Sequence, residues 1–305
     1  MNLTTKNSVY NQKIQNKDNK VIEILDSISG TKAKIQLSYG ASLDELNIRN
    51  IKVITNLYPL DYKKTYPSSI LFPFANRIND GQFNFNGSNY NLQCNEKQLN
   101  NAIHGLVYNK AFLVDELKKF ENHAEIKLYY EELNPPTGYP FKFRVELTYK
   151  LTNEFLSLKI NVINLDDKKL PFTVGWHPYF KSVDLDKSKI QFDCIKKIKC
   201  NKNNIALGFE PFNSKMPLSL RKRRFDDAFV LENPDVKFFT PEYDLVLKSS
   251  EKESFLQLYT PMNTNAIAIE PMTGVSDSFN NKIGLKKLSS GQSYSIEWQV
   301  SIKIK

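Results

Sequence analysis

Alternation of apolar and polar residues runs through most of this chain, and it restricts the fold more than any other feature. In Phe141-Lys142-Phe143-Arg144-Val145-Glu146-Leu147-Thr148-Tyr149-Lys150-Leu151 the odd positions are apolar and the even ones mostly polar. Successive side chains of a strand point to opposite faces, so this spacing predicts a strand with one face in a core. Tyr294, Ile296, Trp298, Val300, Ile302 and Ile304 repeat the pattern near the C-terminus. Further strands are expected at 34–39, 155–164, 244–248, 255–259 and 265–270. Asn86-Gly87, between Phe83-Asn84-Phe85 and Tyr90-Asn91-Leu92, predicts a hairpin, because both residues accept the positive φ that a tight turn requires. Amphipathic helical windows are scarce and strands follow one another with turn residues between them. The expected class is all-β, a large antiparallel sandwich or barrel and not a doubly wound sheet. With no linker, composition shift or tandem repeat, the 305 residues read as one domain, 1–305, with the Asn- and Lys-rich first twenty residues peripheral to it.

Composition removes several function classes. At 41% hydrophobic and 25% charged the chain is neither disordered nor collagenous. No apolar run reaches the ~18 residues of a membrane span. The opening MNLTTKNSVYNQKIQNKDNK lacks the apolar block of a secretory signal, so a soluble, cytoplasmic protein is expected. Cys94, Cys194 and Cys200 form no C-x-x-C pair, which predicts three free thiols and no zinc site. The formal charge of +9 comes from scattered lysines; only six of the 42 basic residues are arginine. Without a basic stripe interleaved with aromatics, nucleic-acid binding is not expected. The one dense cluster, Arg221-Lys222-Arg223-Arg224, reads as a solvated loop, with an anion site as the alternative.

Five residues stand out as candidates for chemistry. His177 precedes Pro178, which favours an extended backbone; if that stretch is a strand, Thr173, Gly175 and His177 share one face, and Phe172, Val174 and Trp176 share the other. Small neighbours then leave room beside the imidazole, and Trp176 goes to the core. Glu270, before Pro271, shares its face with Ala266 and Ala268 while Ile267 and Ile269 turn to the core. It reads either as a cleft carboxylate or as an exposed strand end. His104 precedes Gly105, whose freedom permits a sharp turn or a close backbone approach. Arg77 lies within the apolar run around Phe72-Pro73-Phe74-Ala75, where a charge needs a partner, as a salt bridge or as a ligand clamp. Asp226-Asp227 adds a pair of acids, whereas His123, among charges, reads as surface. No phosphate-binding loop, zinc-protease helix or serine-hydrolase elbow is present. The set suits proton transfer without a metal or other cofactor.

FPFANRINDGQFNFNGSNYNL (72–92), NAIHG (101–105), TGYPFKFRVELTY (137–149), VGWHPYF (174–180), FDDAF (225–229) and AIEPMTGVSDSFN (268–280) together resemble the aldose 1-epimerases, the galactose mutarotases and their relatives. The likeness spans about residues 37–300 in the family's order. It implies a large antiparallel β-sandwich with a sugar cleft on one sheet, and a small-molecule aldose as ligand. It also implies Glu270 as base and His177 as acid, with His104, Arg77 and Asp226 binding the substrate. Where members of the family often carry Asp followed by His, this chain has Asp226-Asp227. At the ordinary values of ~4.3 for Glu and ~6.5 for His, a carboxylate and an imidazolium would both be accessible near neutrality. Two alternatives accompany this expectation. One is a hexose-6-phosphate 1-epimerase using Arg221, Arg223 and Arg224; the other is a carbohydrate-binding protein without catalysis.

Overall fold

The computed structural model describes residues 10–15 and 21–305. The expectation for the first twenty residues therefore lies outside the described part, except for Tyr10–Gln15, a strand paired antiparallel with Val21–Asp26. As expected, strands dominate and the helices are single turns, Tyr62–Thr65 and Ser278–Asn281. Among the described residues no helix is long and apolar enough to cross a membrane.

The strands that alternation named lie close to where they occur. Phe143–Leu151 buries every second residue, and Phe155–Asn164 and Ser293–Ile304 match their expected ranges closely. Asn86 and Gly87, at φ 51° and 80°, close the hairpin of Gln82–Phe85 with Ser88–Asn91. Two boundaries differ. The strand expected at 34–39 is Thr31–Gln36; it stops because Tyr39 and Gly40, at φ 63°, form a turn in which the Ser42 N–H donates to the Tyr39 carbonyl. The strand expected at 265–270 is Ala266–Met272 and runs through Pro271, so Glu270 is an interior residue and not an exposed end.

Antiparallel pairings carry one layer from Val21–Asp26 through Thr31–Gln36, Ser42–Ile48 and Ile51–Thr55 to Tyr179–Lys181. From there it continues through Ala266–Met272 and Ser254–Tyr259 to the start of Asp226–Phe239. The far end of Asp226–Phe239 belongs to the other layer, which runs through Tyr243–Ser249, Ser293–Ile304, Phe155–Asn164, Phe143–Leu151, Ala124–Glu132 and Leu113–Lys119. Asp226–Leu231 thus pairs in one layer and Val236–Phe239 in the other, as at a corner where a strand changes sheet. Between the layers, Trp176 stacks on Trp298 with ring centroids 6.5 Å apart, and the Tyr149 hydroxyl donates to the Ala41 carbonyl at 2.9 Å. Trp176 is a core residue, as its strand face predicted.

Candidate active site

Register brings His177 and Glu270 together. Gly175 pairs with Met272 and Tyr179 with Ala268, so His177, in the gap between Gly175–Trp176 and Tyr179–Lys181, lies directly across from Glu270. The gap is held open by a neighbouring segment: the His177 N–H donates to the Ser69 carbonyl and the Ser68 N–H to the His177 carbonyl. On its other edge Glu270 pairs with Gln257. Two positions along, the next row reads Tyr179, Ala268, Tyr259 and Asp226. Residues two apart share a face, so both rows point into one hollow, and Ala268 leaves it deep between two tyrosines.

Arg77 and His104 enter from a separate ladder. Arg77–Ile78 pairs with Ala102–Ile103, and the His104 N–H donates to the Asn76 carbonyl at 2.9 Å. His104 has φ 66°, and Gly105 follows at φ 76° with its α-carbon pressed on Phe72. A Cβ there would lie 2.2 Å from the Phe72 carbonyl oxygen, so the glycine is required for close approach. The imidazole of His104 meets that of His177 edge to face, with ring centroids 5.1 Å apart, and Tyr66 packs against its other side.

The resulting cleft holds about 550 Å³, and all five candidate residues line it. His177 Nε2 is 3.4 Å from Glu270 Oε1. The two residues are only 4% and 2% exposed. Burial pushes the His177 imidazole down to about 4 and holds the Glu270 carboxyl well above its ordinary range. Asp226 adds to the elevation of Glu270, and Arg77 opposes it. Burial thus disfavours the charged form of both groups relative to the ordinary values in water. At 3.4 Å the contact is longer than the ~2.8 Å of a charge-assisted hydrogen bond. His104 is likewise held well below its ordinary value, by burial first and then by His177 and Arg77. Among these site residues three atoms are buried without a hydrogen-bond partner: His104 Nδ1, His177 Nδ1 and Glu270 Oε2. Leaving such groups unpaired costs ~1–3 kcal/mol each, which a polar ligand can offset.

Arg77 is a salt-bridge partner here: Nε and Nη2 donate to Glu96 Oε2 and Oε1 at 2.9 and 2.8 Å, and Nη1 to Asn76 Oδ1 at 3.2 Å. A polar chain continues from there. Asn76 Nδ2 donates to Gln257 Oε1 at 3.3 Å, and Gln257 Nε2 donates to Asp226 Oδ1 at 3.0 Å. Asn204 Nδ2 holds the other oxygen of Asp226 at 3.2 Å. The Asp226 carboxyl, walled in though open to solvent, sits above its usual range through desolvation, and Arg77 counters the shift. Asp227 does not line this cleft; it pairs with Lys197 at 2.6 Å in an adjoining hollow of about 360 Å³. Arg221, Arg223 and Arg224 are exposed on the loop before Asp226 and line neither cavity.

Glu96, Asn76, Gln257, Tyr179 and Tyr259 escaped the sequence reading. Gln257 carried a signal, as the one amide among Phe255, Leu256, Leu258 and Tyr259 in a strand. Glu96 carried none, since 93–101 has no periodicity. Among the described residues no cluster of His, Cys, Asp and Glu is arranged to hold a metal ion.

Comparison with known proteins bears on the family and the fold. A family model described as aldose 1-epimerase matches residues 20–301. The uncharacterized protein YihR of Escherichia coli (strain K12) is 24% identical over 276 residues, 87% of this chain and 88% of that protein. A galactose mutarotase-like protein from Clostridium acetobutylicum superposes with a TM-score of 0.86 at 20% identity, covering 99% of this chain and 100% of its own. Galactose 1-epimerase from Lactobacillus acidophilus NCFM gives 0.76 at 17% identity, covering 97% and 98%. At these identities the superpositions speak for the fold.

Proposed function

Since this chain belongs to the aldose 1-epimerase family, we propose that it interconverts the α- and β-anomers of an aldose by acid/base opening and closure of the sugar ring. The observation that carries the reading is the register-matched pair of His177 and Glu270, buried in the lining of a polar cleft. Ring opening needs a base for the proton of the anomeric hydroxyl and an acid for the ring oxygen. In this reading Glu270, as carboxylate, takes the first proton and His177, as imidazolium, supplies the second. Glu270 Oε1 and His177 Nε2 are 3.4 Å apart, so in this reading one proton shared by the pair serves both roles. Rotation about the first carbon–carbon bond of the aldehyde exposes its other face, and the two groups exchange roles for closure. At ~10²–10⁴-fold each, an acid and a base lower the barrier by about 5–11 kcal/mol.

His104 and the Nη side of Arg77 are assigned to the ring-oxygen side and neighbouring hydroxyls, with Arg77 steadied by Glu96. Asp226, oriented by Gln257 and Asn204, accepts hydrogen bonds from sugar hydroxyls. Polarimetry on freshly dissolved aldoses tests the reading. The wild-type protein should accelerate the approach to anomeric equilibrium, and Glu270→Gln should fold yet lose ~10²-fold or more of kcat. Retention of over about a tenth would remove Glu270 as base. Sugar binding without acceleration by the wild-type protein would establish a carbohydrate-binding protein in place of an enzyme.

A further inference from the structure

Lys63, Lys64, Arg77 and Lys97 line the cleft against three acids, Glu96, Asp226 and Glu270. Arg77 takes up both oxygens of Glu96, and Glu270 is buried. Three lysines are then left with Asp226, whose oxygens are already held by Gln257 and Asn204. Among the described residues none of the three ammonium groups forms an ion pair, although lysines elsewhere on the sheets meet carboxylates, as in Lys32–Glu23, Lys34–Asp44, Lys127–Glu116 and Lys197–Asp227. All three are exposed.

Their positions are braced. Lys63 and Lys64 belong to the turn Tyr62–Thr65, where Asp61 Oδ1 accepts from the Lys63 N–H at 3.0 Å and the Tyr62 hydroxyl donates to the Tyr108 carbonyl at 2.8 Å. Lys97 lies two residues after Asn95, whose side chain exchanges hydrogen bonds with the Ile103 backbone at 2.8 and 3.0 Å. The same amide reaches the hydroxyls of Tyr66 and Tyr108, both at 3.4 Å, and Tyr66 caps the lysine-bearing turn. Two separate segments thus present their lysines on one rim of the cleft.

A neutral aldose offers such a rim hydrogen-bond acceptors but no opposite charge, whereas an anionic substrate is drawn in and oriented by it. Building on the proposed anomerase reading, we infer that the aldose handled here carries an anionic substituent, a phosphate or a carboxylate. The substituent sits on the side of the sugar turned away from His177 and Glu270, and Lys63, Lys64 and Lys97 hold it. The arginines 221, 223 and 224 play no part in this, since they lie outside the cleft.

The test compares kcat/KM for anomerisation of glucose and galactose with that of their 6-phosphates and of the corresponding uronates, for wild type and for a Lys63→Gln/Lys64→Gln/Lys97→Gln variant. The expected anionic-to-neutral ratio is about tenfold or more, the size several partly exposed charge pairs give together. It should fall towards unity in the variant and in ~0.5 M salt, where screening is short-ranged. The larger of the phosphate and uronate ratios identifies the substituent. A wild-type ratio at or below unity, or one that the variant leaves unchanged, overturns the inference while leaving anomerisation standing. Absence of anomerisation for every sugar overturns both.

Discussion

His177 makes a measurable demand on folding. Its imidazole is held at about 4 by burial, against ~6.5 in an unfolded chain. Above ~6.5 both states hold a neutral ring and the shift costs nothing; as pH falls, the unfolded chain takes up a proton that the folded one refuses. The stability at stake is therefore present above the unfolded value and lost between ~6.5 and about 4. At pH 5 the linkage relation gives a loss of about 2 kcal/mol relative to pH 7. Urea denaturation of the wild-type protein and of His177→Asn at both pH values isolates this amount. The wild-type protein should lose about 2 kcal/mol more than the variant on acidification. Glu270 does not confound the comparison, because its elevation comes from burial, Asp226 and Arg77, which both proteins keep. A difference under about 0.5 kcal/mol would mean that the folded imidazole titrates normally, and the account of His177 as a desolvated imidazole would fall.

Replacing Glu96 by Ala leaves Arg77, whose side chain is 13% exposed, without its bidentate partner. The expected cost is roughly 2–4 kcal/mol in denaturant titrations, and a change under about 0.5 kcal/mol would show the pair to be inconsequential. Changing Arg221, Arg223 and Arg224 together to Gln should leave kcat/KM within a few-fold for any aldose, since these side chains are exposed and line neither cavity, and solvent and salt screen exposed charges. A larger loss would place a substrate group on that loop. Treatment with EDTA should leave anomerisation unchanged; activity lost to the chelator and restored by a divalent ion would refute a site built on proton transfer alone.

Much of this arrangement can be read from residue order, for reasons that differ by element. Alternation in 143–151 and 293–304 reports burial directly, so those strands are legible. So is the split at Ala266–Met272, where Ile267 and Ile269 enter the main core while Ala266 and Ala268 pack with Tyr179. Register is another matter. Nothing in the sequence says that residue 177 opposes residue 270, because that depends on pairing between segments some ninety residues apart. Lys189–Cys200 and Asp226–Phe239 went unread since their ladder shifts register repeatedly, which breaks the period of two. The pKa shifts were not legible either: ordinary values assume water around the group, and burial removes it. Glu96 was invisible because an ion pair between irregular segments leaves no pattern.

The strand Asp226–Phe239 begins in the wall of the cleft and ends in the opposite sheet. One continuous backbone therefore belongs to both layers, and neither can peel away without breaking the ladder of the other. The sheet that carries the cleft and its support should share a single cooperative unfolding unit, with the amides of 226–231 and 236–239 exchanging together in the slowest class. Fluctuations that open the cleft are then confined to the segments docked over it, among them Tyr62–Thr65 and 93–101. Substrate entry is decoupled from the integrity of the sandwich.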